Sequence, residues 1–132
     1  MAIGEGDHAP RITLVIGALA MLLAVALGAF GAHALRARVA FDMVAVWQTA
    51  VQYHAWHGLA LVATGLLLQR APRSRALVLA AVFFGAGIML FSGSLYALVL
   101  TGVRGLGAVT PFGGVAFLAG WAALAWGAWR RA

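Results

Sequence analysis

Residues 12–35 read ITLVIGALAMLLAVALGAFGAHAL, an unbroken run with no Asp, Glu, Lys or Arg. Crossing a hydrocarbon core of ~30 Å takes ~20 mostly apolar residues in a helix, so this stretch is long enough to span a membrane. Three more of the same kind follow: Val44 to Leu68, Ala76 to Leu100 and Phe112 to Trp129. The chain of 132 residues is 64% hydrophobic and 9% charged, against about 45–50% apolar and about 25% charged in an average soluble domain. Nine arginines, three acids and no lysine cannot cover so much apolar surface in water. An ordinary soluble domain is therefore excluded, and lipid is the solvent.

The connections between the stretches are short, which makes consecutive helices antiparallel neighbours. The first runs from Arg36 to Met43, and Asp42 there is expected to cap the second helix. The second runs from Gln69 to Arg75, with Pro72 breaking the helix and Ser74 placed to cap the next one. The third, Thr101 to Thr110, is Gly-rich and reads as a flexible turn; Thr110-Pro111 then reads as an N-cap followed by Pro at the first helical position. These signals predict an all-α fold, an integral membrane antiparallel four-helix bundle. It forms a single transmembrane domain over residues 1–132, with spans at about 12–35, 44–68, 76–100 and 111–129. Met1 to Ala9 is expected to be disordered.

Orientation follows from arginine placement, since cytoplasmic loops carry the excess of positive charge. Arg11, Arg70, Arg73, Arg75, Arg130 and Arg131 fall on one side, and Arg36, Arg38 and Arg104 on the other. Both termini are expected in the cytoplasm. Ala32-His33-Ala34 resembles a signal-peptidase site, but the apolar run before it exceeds the 7–15 residues usual for a signal peptide, so the first helix reads as retained. The formal charge of +6 is explained by this asymmetry and does not imply nucleic acid, because the arginines never form a stripe. With no cysteine, disulfides and thiolate-ligated metals are excluded.

Lipid tails are as apolar as leucine, so helices associate in a membrane through close contact of small residues. Gly17, Ala24, Gly28, Gly31 and Ala32 lie along one side of the first helix; Gly113, Gly120 and Gly127 recur every seven residues in the last. Both lines are expected to be close helix contacts. Trp47, Trp126 and Trp129 fit the aromatic belts at the two membrane surfaces.

The chemistry-bearing residues gather towards one leaflet. At 1.5 Å per residue, Ser92 lies ~12 Å and Tyr96 ~6 Å inside the outer end of the third helix, while Tyr53 is ~9 Å and His57 ~15 Å deep on the second. On a helical wheel Gln48, Gln52, Trp56, Thr49, Tyr53 and His57 occupy one half of the second helix, expected to face protein, and His54 falls beyond its edge. A polar cluster of His33, Gln48, Thr49, Gln52, Tyr53, His57, Ser92 and Tyr96 is therefore expected, with His57 its main functional candidate. The alternative reading of His57 is packing glue bonded to a neighbouring helix. His33 and His57 are too far apart along the normal to share a haem, and no acid lies within a span to complete a metal site or orient a Ser-His pair. No catalytic group, metal site or cofactor is expected.

GAFGAHAL (Gly28 to Leu35), WQTAVQYHAWH (Trp47 to His57), LFSGSLY (Leu90 to Tyr96) and TPFGGVAFLAGW (Thr110 to Trp121) together resemble the YgdD-like family of small bacterial inner-membrane proteins, domain of unknown function 423, which has a small eukaryotic transmembrane relative. His54 lies outside the family pattern. The resemblance spans nearly the whole chain and implies a multi-pass protein of the cell inner membrane, with four spans and no established activity. The functional expectation is a non-enzymatic accessory or assembly factor, or a binder of lipid or another apolar molecule between helices. The alternative is a small oligomeric transporter or channel. Expected partners are membrane lipids, and a larger membrane complex or further copies of the chain, with no nucleic acid.

Overall fold

The computed structural model describes residues 8–130, all in helices, turns and short links. Helix α1, His8–Phe30, runs on through a π-helical turn, Gly31–Leu35; α2 is Phe41–Arg70. The third rod consists of α3, Arg75–Gly87, a second π-turn, Ile88–Ser92, and α4, Gly93–Thr101. A 3-10 turn, Arg104–Ala108, leads into α5, Thr110–Trp129. Most of the segment expected to be disordered lies outside the described residues, and its last two members, His8 and Ala9, belong to α1.

Three of the four rods, His8–Leu35, Arg75–Thr101 and Arg104–Trp129, are long and apolar enough to cross a membrane. The 30 residues of α2 give ample length at 1.5 Å each. Gln48, Gln52, Tyr53, His54 and His57 lower its hydropathy below that of the others. The helix ends correct two expectations. Ala40 precedes α2 without any side-chain cap, and Asp42 sits inside the first turn, where its charge complements the helix dipole. Thr110 is already helical and Val109, which has no side-chain acceptor, precedes it; the Thr110 hydroxyl lies instead 2.7 Å from that of Ser94. Ser74 does cap α3, accepting from the Leu77 amide at 3.5 Å. In the third connection Gly102 takes the left-handed conformation, φ 73. Its amide donates to the Leu98 carbonyl at 2.8 Å, which ends α4 in the manner that favours glycine.

The rods are joined by interleaved small residues. A Cβ on Gly17 would stand 2.8 Å from the Val62 amide nitrogen, and Gly31 faces the Trp47 indole. From α2, Gly58 receives Met21 and Gly65 receives Leu14. Partner numbers fall on α2 as they rise on α1, so the pair is antiparallel. Gly28 is looser, its Cβ position lying 3.4 Å from Val51. Along α5, Gly113 abuts the Phe91 backbone, Gly120 the Phe84 ring and Gly127 Leu77, while Gly87 of α3 takes the Phe117 ring; this pair is antiparallel too. The third rod lies between α2 and α5, and α1 packs chiefly on α2. Leu22, Val25, Val82 and Leu118 point outward with more than half their surface exposed, as lipid-facing side chains must.

One interior cluster joins Ala60 and Leu61 to Ala80, Phe84 and Phe117; a second holds Leu35, Trp47, Leu98 and Val99. Trp47 is thus no belt residue. It is 1% exposed, and its indole N–H donates to the Leu27 carbonyl at 2.9 Å, a bond that ties α2 to α1. Trp126 and Trp129 are exposed as expected.

The glycine contacts give a sharp comparison. A Cβ on Gly113 meets backbone that cannot rotate away, whereas one on its neighbour Gly114 meets nothing within 4 Å. Gly113→Ala is expected to lower the apparent melting temperature in detergent by on the order of 5 °C, from ~1–3 kcal/mol of overpacking, and Gly114→Ala to leave it within a degree or so. Equal effects at the two positions would show that the α5 contact is not close.

Candidate functional site

Every buried polar side chain among the described residues has a hydrogen-bond partner. In hydrocarbon an unpaired group costs several kcal/mol, so these partners report how the rods are held in register. The buried face of α2 runs Trp47, Ala50, His54, His57, Leu61, Thr64, Leu68, a heptad spacing that brings both intramembrane histidines inward.

His57 faces α5. The Trp121 indole N–H donates to its Nε2 at 3.0 Å, and indole nitrogen has no acceptor capacity. Nε2 is therefore unprotonated, and Nδ1–H donates one turn back to the Tyr53 carbonyl at 2.6 Å. The ring stacks on Phe117 with centroids 3.5 Å apart and planes inclined by 10°. Tyr53 is half buried beside it, stacked on Phe91 at 4.5 Å. With both ring nitrogens used, His57 is a neutral crosslink of α2 to α5.

His54 faces the other way, towards α1 and α4, and correcting its expected place is the main change the structure makes to the wheel. It is 2% exposed, its Nδ1 lies 2.9 Å from the Tyr96 hydroxyl, and the Ala20 backbone is a second hydrogen-bonding neighbour. Tyr96 in turn packs against the Trp47 ring, centroids 4.7 Å apart. Ser92, fully buried, donates to the Ala50 carbonyl across the α2 boundary at 2.7 Å. Ser92 and Ser94, two residues apart and so on opposite sides of their helix, reach different neighbours: Ser92 reaches α2, and Ser94 reaches Thr110 at the start of α5.

Of the residues expected to form one polar cluster, the structure therefore brings Tyr53 and His57 together on the α5 side. Ser92 and Tyr96 sit against α2 through Ala50 and His54. His33, Gln48, Thr49 and Gln52 are all exposed. His33 lies on the first π-turn; Gln48 and Gln52 border a shallow recess of ≈ 380 Å³ beside Gly28 and Gly31; the Thr49 hydroxyl donates to the Ala45 carbonyl of its own helix at 3.1 Å. Sequence reasoning missed His54 and the paired role of Trp121. The signal for both was the seven-residue spacing of Trp47, His54 and Leu61 and the place of Trp121 one residue after the Gly120 contact.

Fold and interior together define a small helical integral membrane protein whose inner polar groups serve as bonds between helices. The family described as "Protein of unknown function (DUF423)" matches residues 27–114, and the chain belongs to it. The chain is 44% identical over 111 residues to the UPF0382 membrane protein YwdK of Bacillus subtilis, covering 84% of this chain and 90% of that one. It is 42% identical to the UPF0382 inner membrane protein YgdD of Escherichia coli K12 over 120 residues, 91% of each. A UPF0382 membrane protein of Staphylococcus epidermidis is 42% identical over 114 residues, 86% of this chain and 92% of its own. No solved structure matches. The chain is an inner-membrane protein.

The His57–Trp121 bond is open to a double-mutant cycle with His57→Phe and Trp121→Phe. A coupling of about 0.6 kcal/mol, and no more than about 1.7, is expected in reversible detergent unfolding, the average and the maximum found for side-chain bonds between membrane helices. A cycle that closes with no coupling would mean that the two side chains do not meet in the membrane.

Proposed function

We infer that this protein is a non-enzymatic membrane component that holds a lipid tail or another apolar molecule between its helices. The observation that carries this reading is a cleft of ≈ 550 Å³ between α1 and the third rod. Leu19, Leu23 and Leu27 form one wall, Ile88 and Met89 the other, and the His54–Tyr96 pair adds the polar groups. Its size falls within the ~300–1,000 Å³ of small-molecule sites, and a mostly apolar lining with a few fixed polar groups is what such sites have in common. The cleft exists because α1 packs on α2 and leaves its flank towards α3 and α4 unfilled. An occupant would be apolar along its length with at most one hydrogen-bonding group near the Tyr96 hydroxyl. The histidine that borders the cleft, His54, is already hydrogen-bonded to the Tyr96 hydroxyl and the Ala20 backbone, which favours binding over catalysis. Four spans with both termini in the cytoplasm complete the reading: α2 is long enough to cross, and the arginine excess lies at the end where the termini emerge.

Gly85 borders the cleft and has open space at its Cβ position, so a large side chain there fills the cleft without disturbing a helix contact. Protein purified in mild detergent is expected to carry an apolar molecule detectable by mass spectrometry after extraction. Gly85→Phe is expected to lose it while keeping its melting temperature. Retention by Gly85→Phe, or a wild-type protein carrying nothing above the detergent background, overturns the assignment. Topology has its own check: a reporter active only in the periplasm is expected to be silent after Arg131 and active in the Gly102–Val109 connection, and the reverse pattern would invert the orientation.

A further inference from the structure

At the opposite end of the molecule from Gly102, the turn between α2 and α3 and the end of α5 enclose a recess of ≈ 640 Å³. Arg73, Arg75 and Arg130 line it together with Ser74, and its remaining walls include Pro72, Leu79 and Trp126. The three guanidinium groups come from two separate stretches of the chain, the turn leading into α3 with that helix's first residue, and the residue after α5, and none of them has an ion pair with any described acid; Asp42, the one acid among the described residues, lies in the first turn at the other end of α2. The Arg130 guanidinium carbon stands 5.5 Å over the Trp126 ring centroid, a cation–π contact that holds Arg130 beside the recess. Leu79 and Trp126 are exposed beneath this basic rim, with half or more of their surface free. Charge is thus concentrated at the helix ends, and apolar surface continues from it towards the membrane interior.

We propose that this recess is a binding site for an anionic phospholipid, with the headgroup phosphate held by Arg73, Arg75 and Arg130 and the start of an acyl chain lying on Leu79 and Trp126. Guanidinium forks match phosphate oxygens geometrically, and basic pockets between membrane helices are suited to anionic headgroups. The graded lining is what selects lipid over a free anion. Inorganic phosphate would use the arginines and leave Leu79 and Trp126 unoccupied, whereas a phospholipid presents both chemistries in the same order along its length. The site is separate from the cleft between α1 and the third rod and depends on neither its occupant nor its existence.

The test is native mass spectrometry of the full chain released from detergent micelles doped with phosphatidylglycerol or with phosphatidylcholine of identical acyl chains. Wild type is expected to retain phosphatidylglycerol with about a tenfold or greater preference, from ~1 kcal/mol for each arginine near the headgroups. The triple variant Arg73→Gln, Arg75→Gln, Arg130→Gln is expected to bind the two lipids alike. A matched triple variant at the other end, Arg36→Gln, Arg38→Gln, Arg104→Gln, removes the same charge and is expected to keep the preference. If the recess variant does not purify as a folded protein, Arg130→Gln alone is expected to weaken the preference roughly fivefold. Excess inorganic phosphate is expected to leave the bound lipid in place. Preference retained by the recess variants, lost equally in the matched variant, or abolished by inorganic phosphate overturns the proposal.

Discussion

Everything in this molecule depends on how closely its helix backbones approach one another. Without a water-driven force between helices, the pairs α1–α2 and α3–α5 rest on van der Waals contact, and glycine is what brings the backbones within reach. The contact at Gly17, where even a methyl group would crowd the Val62 amide nitrogen, shows how little space is left. Gly113 against the Phe91 backbone shows the same on the other side of the molecule.

Close approach then decides where the polar side chains can find partners. Because α1 sits tightly on α2, the Leu27 carbonyl comes within reach of the Trp47 indole. Because α5 sits tightly on α3, Phe117 and Trp121 are carried over the third rod to the His57 ring. The side-chain bonds across the middle of the molecule, Ser92 to Ala50, His54 to Tyr96 and His57 to Trp121, all involve α2. Each adds modest energy, but together they define which rotation of α2 leaves no group unpaired.

The apolar rods were legible from length and composition, and so were the Ser74 cap and the glycines of the small-residue lines in the first and last helices, because each rests on a local rule; Ala32, expected on the first line, is exposed instead. The rotation of α2 was harder to read. Polar residues alone pointed to the half bearing Gln48, Gln52 and Trp56, and that edge is exposed. The deciding residues were small ones, Ala50, Gly58 and Gly65, which mark where α1 and the third rod lie against α2; His54 follows them inward. Trp47 misled for a related reason. An indole near a helix end fits an interfacial belt, and only the nearness of the Leu27 carbonyl turns it into a buried crosslink. The two π-turns, Gly31–Leu35 and Ile88–Ser92, have no local sequence rule behind them. The recess at Arg73, Arg75 and Arg130 was visible only as charge on one side, since nothing in the order of residues says that α5 ends beside the turn before α3.

The packing of α1 chiefly on α2, and of α5 on α3, has a consequence for biogenesis. The chain consists of two helical hairpins, each closed by its own glycine seam and separated by the four-residue link Ala71 to Ser74. Each hairpin can bury its own tight contact as it leaves the insertion machinery, before the other exists. The side-chain bonds between hairpins, Ser92 to Ala50, His54 to Tyr96 and His57 to Trp121, form only once both are in place. The fold therefore permits a late docking of two preformed halves, and the order in which the helices emerge during synthesis matches the order in which their contacts can form.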